Sequence, residues 1–383
     1  MGQYWRLINI DRRQSISFEC MKLGEVMFWR DPDRLIWLLA TPRKPKPYQR
    51  SLERGHSKDP RDLGALNLPF DVLDLIFEHI ALDNILDAAY LALTNSFLRV
   101  IGGKRIYEGM YAYSAPWSLD RLICVGDYLS GDDLPPDILK EDEEESLSGD
   151  CSEEEDGEDG ARLYNAAKTW LDDDVAARHW DRKFSWSDTR VRLSHAEDSE
   201  LNDLVELDYS WDGTPETEWI LCNWTLAQYV RASAVAKLTG TRCHGPWANR
   251  FLGLGHVLLT QICWSSDDSV SMRYEGPIHR GSWAGHYVAI TTVDQLTENR
   301  SFADKKDWTD VTEVLEIWRA DNPETLAPHL RSEDYVSDNT NTDEEDLQDQ
   351  EESKPDDSDA KQVDSDAALE DASGDESQEA DKS

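Results

Sequence analysis

The first apolar runs of the chain differ in period. "YWRLINI", Tyr4 to Ile10, is aromatic and β-branched and reads as a strand. "KLGEVMFW" and "RLIWLLA" follow, the second dense enough in apolar positions for a short buried helix or strand. The helical period is strongest from Leu66 to about Gly109. Pro69 suits a first helical position because its missing N–H is not needed there. Asp71 and Asp74 place negative charge near the positive end of that helix. Leu73, Ile76, Phe77 and Ile80 form an i, i+3, i+4, i+7 stripe, and Val72 and Leu75 add apolar surface beyond it. So short a helix, apolar around most of its girth, must bury two sides. Asp83 is the expected N-cap of a second helix with Ile85, Leu86, Ala89, Leu93 and Phe97 on one face. Gly102 and Gly103 are expected to stop it. The pattern therefore predicts a helix pair over Leu68–Gly103, too small to be stable alone.

Further along, "RLICVGDYL" reads as a strand entering a Gly-Asp turn. "EWILCNWTLAQYVRASAVAKL" is helix-compatible in its second half. "GLGHVLLTQICW", "VSMRY" and "HYVAITTV" carry strand signals. "DWTDVTEVLEIWRA", from Asp307, predicts a helix with Val311, Val314, Leu315 and Trp318 at helical spacing. No long internal repeat is legible. "WSLDRLICVG" and "WAGHYVAITT" echo each other only as a tryptophan leading into a strand.

Charge divides the chain further. Of the net −39, Glu141–Gly160 contributes 12 acidic and no basic residues, and Glu333–Ser383 contributes 21 acidic residues against three lysines. The rest is near −9, ordinary for a globular chain. Both acid runs are expected to be disordered. None of the 15 tryptophans lies in them, and 11 fall between Trp170 and Trp318. The expected organisation is an ordered segment over 1–40, a basic Pro-rich linker over 41–62 and a helical module over 63–109. A continuation of the folded domain over 110–140, an acidic insertion over 141–160, a Trp-rich domain over 161–326 and an acidic tail over 327–383 complete it. The fold class is α+β: a helical pair packed with a Trp-rich mixed α/β domain, plus the disordered insertion and tail.

The helical block carries a family resemblance. "LPFDVLDLIFEHI" followed by "ILDAAYLALTNSFLRVIG" resembles the F-box, the helical module that docks substrate receptors onto the Skp-type adaptor of SCF ubiquitin ligases. The opening matches at Leu68 and Pro69, and the apolar positions at Val72, Leu73, Ile76 and Ile80. The ending matches at Leu91, Ala92, Leu93, Thr94, Leu98, Arg99 and Ile101, and departs at Asn95, Ser96 and Phe97. The match covers about 40 residues. Together with "GQYWRLINIDRRQ", "KLGE", "RLICVGDY" and "IHRGSWAGH", the layout also resembles a group of fungal F-box-like proteins. The resemblance implies a non-catalytic substrate receptor for protein ubiquitination, with Leu68, Pro69, Val72, Leu73, Ile76 and Ile80 as adaptor-binding residues. It also implies an unknown protein as the target.

Other chemistry is sparse. Cys243, His244, His256, Cys263, His279 and His286 lack metal-site spacing, so no metal is expected. No G-x-S-x-G and no P-loop occur, so neither a catalytic residue nor a cofactor is expected. "HRGSWAGHYVAI", His279–Ile290, is a candidate recognition surface, with core packing as its plainer reading. Scattered cysteines, a charged first apolar run and no long apolar span point to cytoplasm or nucleus, with no membrane partner. Dense acid repels nucleic acid and attracts basic protein segments. The alternative function is therefore an acidic interaction protein for basic chromatin or ribosomal partners.

Overall fold

β-branched and aromatic residues in Trp5–Asn9 and Gln14–Ser17 make a hairpin, and the same residue classes make a second one at Trp219–Asn223 and Gln228–Arg231. The computed structural model describes residues 3–18, 21–28, 31–44, 63–131, 133–150, 162–172, 195–248, 252–270, 274, 276–298 and 308–321. Most of the basic linker, the acidic run after Asp150, the middle of "VSMRY" and the acidic tail lie outside the described residues.

The described strands are β1 (Trp5–Asn9), β2 (Gln14–Ser17), β3 (Asp120–Gly126), β4 (Leu171–Asp172), β5 (Trp219–Asn223), β6 (Gln228–Arg231), β7 (Cys263–Trp264), β8 (His286–Thr292) and β9 (Thr309–Asp310). They form one mixed sheet in the order β4-β2-β1-β3-β8-β5-β6-β9, with β7 pairing β3. The described helices are α1 (Leu23–Phe28), α2 (Asp31–Leu39), α3 (Phe70–Asp83), α4 (Ile85–Leu93), α5 (Ser96–Tyr113), α6 (Glu141–Asp150), α7 (Arg162–Thr169), α8 (His195–Val205), α9 (Ala232–Thr239), α10 (Leu254–Ile262), α11 (Val293–Glu298) and α12 (Glu316–Asp321). The fold is α+β, and residues 5–17 share its sheet with residues 219–292.

The sheet is built from one unit used twice. Both hairpins have the same register, Arg6↔Ser17 through Asn9↔Gln14 and Ile220↔Arg231 through Asn223↔Gln228. Each turn places a non-glycine residue at the same left-handed position, Arg13 (φ 50) and Ala227 (φ 54). Each is closed by an asparagine whose Oδ1 accepts the amide three residues on, Asn9 from Arg12 and Asn223 from Leu226. The first strand of each hairpin pairs antiparallel with a long strand, Trp5↔Gly126 and Trp219↔Thr292. The second pairs parallel with a two-residue strand, Gln14↔Leu171 and Gln228↔Thr309. Helices α2 and α10 each run into a parallel bridge, Ala40 with Ile290 and Cys263 with Cys124. A buried tryptophan then opens each long strand. Trp117 Nε1 donates to Gln14 Oε1 at 2.8 Å, and Trp283 Nε1 to Gln228 Oε1 at 2.9 Å.

The long strands β3 and β8 pair antiparallel around Arg121↔Tyr287. Leu119 N donates to Val288 O and Gly285 N to Leu122 O, both at 2.7 Å. This reciprocity is a local twofold axis through the sheet. It corrects the expectation that no long repeat exists. The faint echo at Trp117 and Trp283 is part of a duplication. It escapes a fixed-period scan because Trp5 and Trp219 are 214 positions apart, whereas Trp117 and Trp283 are 166 apart.

The spacing differs because the first unit carries an insertion. Between Ala40 and Trp117 it holds α3, α4 and α5; the second unit makes the equivalent connection from Cys263 to Trp283 without a described helix. The inserted module is therefore not required to close the sheet. Replacing residues 42–116 by residues 265–282, with Leu201, Leu204 and Val205 made polar, is expected to leave a cooperatively folded sheet with native tryptophan fluorescence. Circular dichroism and denaturant unfolding would check it.

One face of the sheet is covered by α1, α2, α9 and α10 over Trp5, Trp117, Trp219 and Trp283, all fully buried. "GLGHVLLTQICW", expected as a strand, is helical over Leu254–Ile262 and extended only at Cys263–Trp264. It lies wholly inside the core, so its continuous apolar run carries no period to separate helix from strand. The helix expected from Asp307 is a strand at Thr309–Asp310, a 3₁₀ turn at Thr312–Leu315 and then α12, because Thr309 joins the ladder of β6. On the other face α6 and α7 cover Ile8, Ile10, Ile123 and Val125. Glu141–Asp150, expected within a disordered run, is thus helical. Leu147 is buried, and Glu143 meets Arg121 at 2.5 Å.

Candidate docking surface

The inserted module is a three-helix unit, where the sequence pattern predicts a pair. Asn84, not Asp83, caps α4, its Oδ1 accepting from Leu86 N at 3.0 Å. Asn95 opens a further helix by accepting from Phe97 N at 2.8 Å. That helix, α5, runs through Gly102 and Gly103 to Tyr113 and does not stop at them. Tertiary contact explains why glycine is there. A Cβ on Gly102 would stand 2.3 Å from the Phe77 ring, so its absence lets α3 lie directly on α5. Gly102→Val is expected to destabilise the module by about 1–3 kcal/mol through overpacking. Hydrogen exchange should show lost protection in α3–α5 and unchanged protection in β3 and β8.

The module's core holds Leu73, Phe77, Ala81, Ile85, Ala88, Ala89, Leu98, Ile101, Ile106 and Met110. A fourth helix completes it from far along the chain: α8 contributes Leu201, Leu204 and Val205. Tyr107 ties the module to the sheet body, its hydroxyl donating to Arg43 O at 2.6 Å. Arg105 clamps α3 to α5. Its guanidinium meets Asp74 through two bonds of 2.8 and 2.5 Å, and reaches Glu78 and Glu108 at 3.1 Å. These bonds hold the Asp74 carboxyl below its ordinary range, against the opposing effect of burial.

With α4 and α5 on its inner side, α3 keeps an open outer face. Leu75 is 63% exposed, Leu82 61% and Phe70 56%, and Leu68 and Val72 are exposed beside them. Val72, Leu75 and Leu82 are one and two helical turns apart, so they form a stripe. Asp71, Glu78 and Asp83 flank it in exposed positions. An exposed apolar stripe rimmed by charge is the surface character of a protein-docking site. Of the six residues that the resemblance singles out, Leu68, Pro69 and Val72 are on this face. Ile76 and Ile80 are half-buried against the module's core, and Leu73 is 1% exposed inside it. Leu73 is therefore an internal packing residue. Leu75 and Leu82 belong to the outer face and are not among the six, although the spacing from Val72 to Leu75 to Leu82 shows it; Phe70, in register with buried Leu73 and Phe77, is exposed at the open N-terminal end of α3.

The remaining candidates are dispersed. His256 is fully buried, accepts from Gly253 N through Nδ1, and is held neutral by burial, its pKa pushed down to about 3. His286 Nδ1 meets Asn223 at 2.9 Å. Cys243 donates to Gly245 O, while Cys263 sits against Cys124. Among the described residues no group of three or more potential metal ligands is brought together. In "HRGSWAGHYVAI", Trp283 is core, and Arg280 is engaged by Asp133 through bonds of 2.7 and 2.5 Å and lies over Trp264 at 4.8 Å. This segment joins elements of the fold. Among the described residues no helix is long and apolar enough to cross a membrane. Comparison with known proteins finds no matching family model, no matching curated protein and no matching solved structure.

Proposed function

We propose that the three-helix module is an F-box-type docking element for the Skp-type adaptor of an SCF ubiquitin ligase, and that the sheet body presents a protein target. The single observation that carries this reading is the open apolar face of α3. It belongs to a module whose inner sides are packed and which is inserted into a connection the sister unit makes without it. The acting residues are Val72, Leu75 and Leu82 on that face, with Leu68 and Phe70 exposed at the module's N-terminal end beside Pro69, the N-cap of α3. The chain contributes proximity, and bond formation belongs to the recruited ubiquitin-conjugating enzyme.

Co-purification with the adaptor tests the proposal, comparing the native chain with a variant whose α3 face is charged. Stable capture by the native chain alone supports it. Equal capture by both, with folding intact, removes it. The acidic-interaction reading gives a different result: binding to basic proteins that collapses between low and moderate salt and vanishes on deleting Glu333–Ser383.

A further inference from the structure

Two of the described cysteines face each other across the seam between the repeated units. Cys124 lies on β3 of the first unit and Cys263 on β7 of the second, and they are direct partners in a parallel pairing. Paired residues leave a sheet on the same face with Cα atoms about 4.8 Å apart. That lies within the roughly 4.4–6.8 Å that a disulfide spans. Each thiol lies within electrostatic reach of the other, and Cys263 Sγ donates to Leu259 O at 3.0 Å. The twofold-related position holds Ala40 against Ile290, so the repeat itself does not demand sulfur there.

We infer that Cys124 and Cys263 form a reversible disulfide that locks the two sheet units together, with a hydroperoxide as oxidant. One thiol loses its proton and its sulfur attacks the peroxide O–O bond. That bond breaks, giving a sulfenic acid and, once the leaving oxygen takes up the proton, water from hydrogen peroxide or the alcohol from an organic hydroperoxide. The second sulfur displaces the sulfenic hydroxyl, which leaves with the second thiol's proton as water. Two electrons pass from the sulfur pair to the peroxide, and the S–S bond replaces two S–H bonds. Both thiols are fully buried, so the attack requires the β3–β7 join to open. The join is two residue pairs long, Cys124↔Cys263 and Val125↔Trp264, but both cysteines belong to the main core, so opening is an infrequent local unfolding event and oxidation is slow. Closing then shields the product from external thiols. Cys222 faces the other core, with Ile220, and Cys243 is half-buried elsewhere, so neither competes for this partner.

The test uses the full chain, reduced and then treated with hydrogen peroxide. Free thiols are blocked with N-ethylmaleimide in denaturant, and the protein is digested without reductant and analysed by mass spectrometry. The expected product is a linked pair of peptides carrying Cys124 and Cys263, two hydrogens lighter than their sum and separated by dithiothreitol. The linked chain closes a loop of about 140 residues, so its urea midpoint should rise and fall back on reduction. Cys124→Ala and Cys263→Ala should each lack both the linked peptide and the shift. Full alkylation of Cys124 and Cys263 after peroxide exposure, or linkage of either to Cys243, would overturn the inference.

Discussion

Glutamate at Val72, Leu75 and Leu82 together should lower adaptor affinity by at least about 100-fold while the chain stays folded. Each side chain is exposed in the free protein, so charging it breaks no internal contact, and surface changes of this kind usually stay within about 0.5 kcal/mol of stability. In a complex the same side chains would be buried, each contributing roughly 1.5–3 kcal/mol. Losing even two of them amounts to about 3 kcal/mol, or two orders of magnitude in Kd. Leu226→Glu, an exposed leucine on the turn between β5 and β6, is the matched control and should bind normally. Leu73→Asp is not a test of docking, because it places a charge inside the module's core and should unfold it. Isothermal titration with the adaptor, beside thermal unfolding of each variant, separates the two effects.

Arg121→Ala should cost about 3 kcal/mol and release α6 from the sheet. Arg121 sits on the twofold axis with its side chain 6% exposed. It donates to Asp11 at 2.6 and 2.9 Å, to Glu143 at 2.5 and 3.1 Å, and to Ile138 O at 2.8 Å, with the Tyr287 ring at 6.0 Å. Removing one member of a buried ionic group leaves its partners desolvated and unpaired, typically at about 3–5 kcal/mol. The lower end applies, since Asp11 and Glu143 keep some contact with water. Burial alone would raise the Glu143 carboxyl, but the hydrogen bonds from Arg121 and the Lys140 amide win and hold it below its ordinary range. A depressed carboxyl stabilises the fold above its unfolded pKa and loses that contribution as pH falls through the folded value. The docking of α6 should therefore weaken on acidification below about pH 4. Arg121→Ala should remove most of that dependence. Urea titrations from neutral pH downward, with hydrogen exchange over 141–150, would show both.

The charge total and the site show how differently local and distant information is carried. The low-complexity acid of Glu141–Gly160 reads as disorder, yet its first half is a helix because Arg121, some 20 residues upstream, neutralises Glu143 and Leu147 finds an apolar face. Fifteen tryptophans read as a large core. Their arrangement in matched pairs, Trp5 with Trp219 and Trp117 with Trp283, emerges only when the strands are aligned by register.

From the sequence alone, α3 is fixed in its helical period, its excess of apolar sides and, to within one residue, its start, Pro69 being the N-cap and not the first helical residue. Those depend on neighbours within one or two turns. Tertiary structure decided the rest. Periodicity shows that Leu73 and Leu75 lie on different sides of α3 but not which side receives a partner. That choice belongs to α4 and α5, the latter through the Gly102 contact with Phe77, while α8, arriving more than 100 residues later, packs on α4 and α5. The duplication was hidden for the same reason: hydrogen-bond register preserves it, while the insertion of the module displaces it in the linear chain. Leu73 is core and Leu75 is surface because α4 and α5 fold back onto one side of α3 and leave the other open.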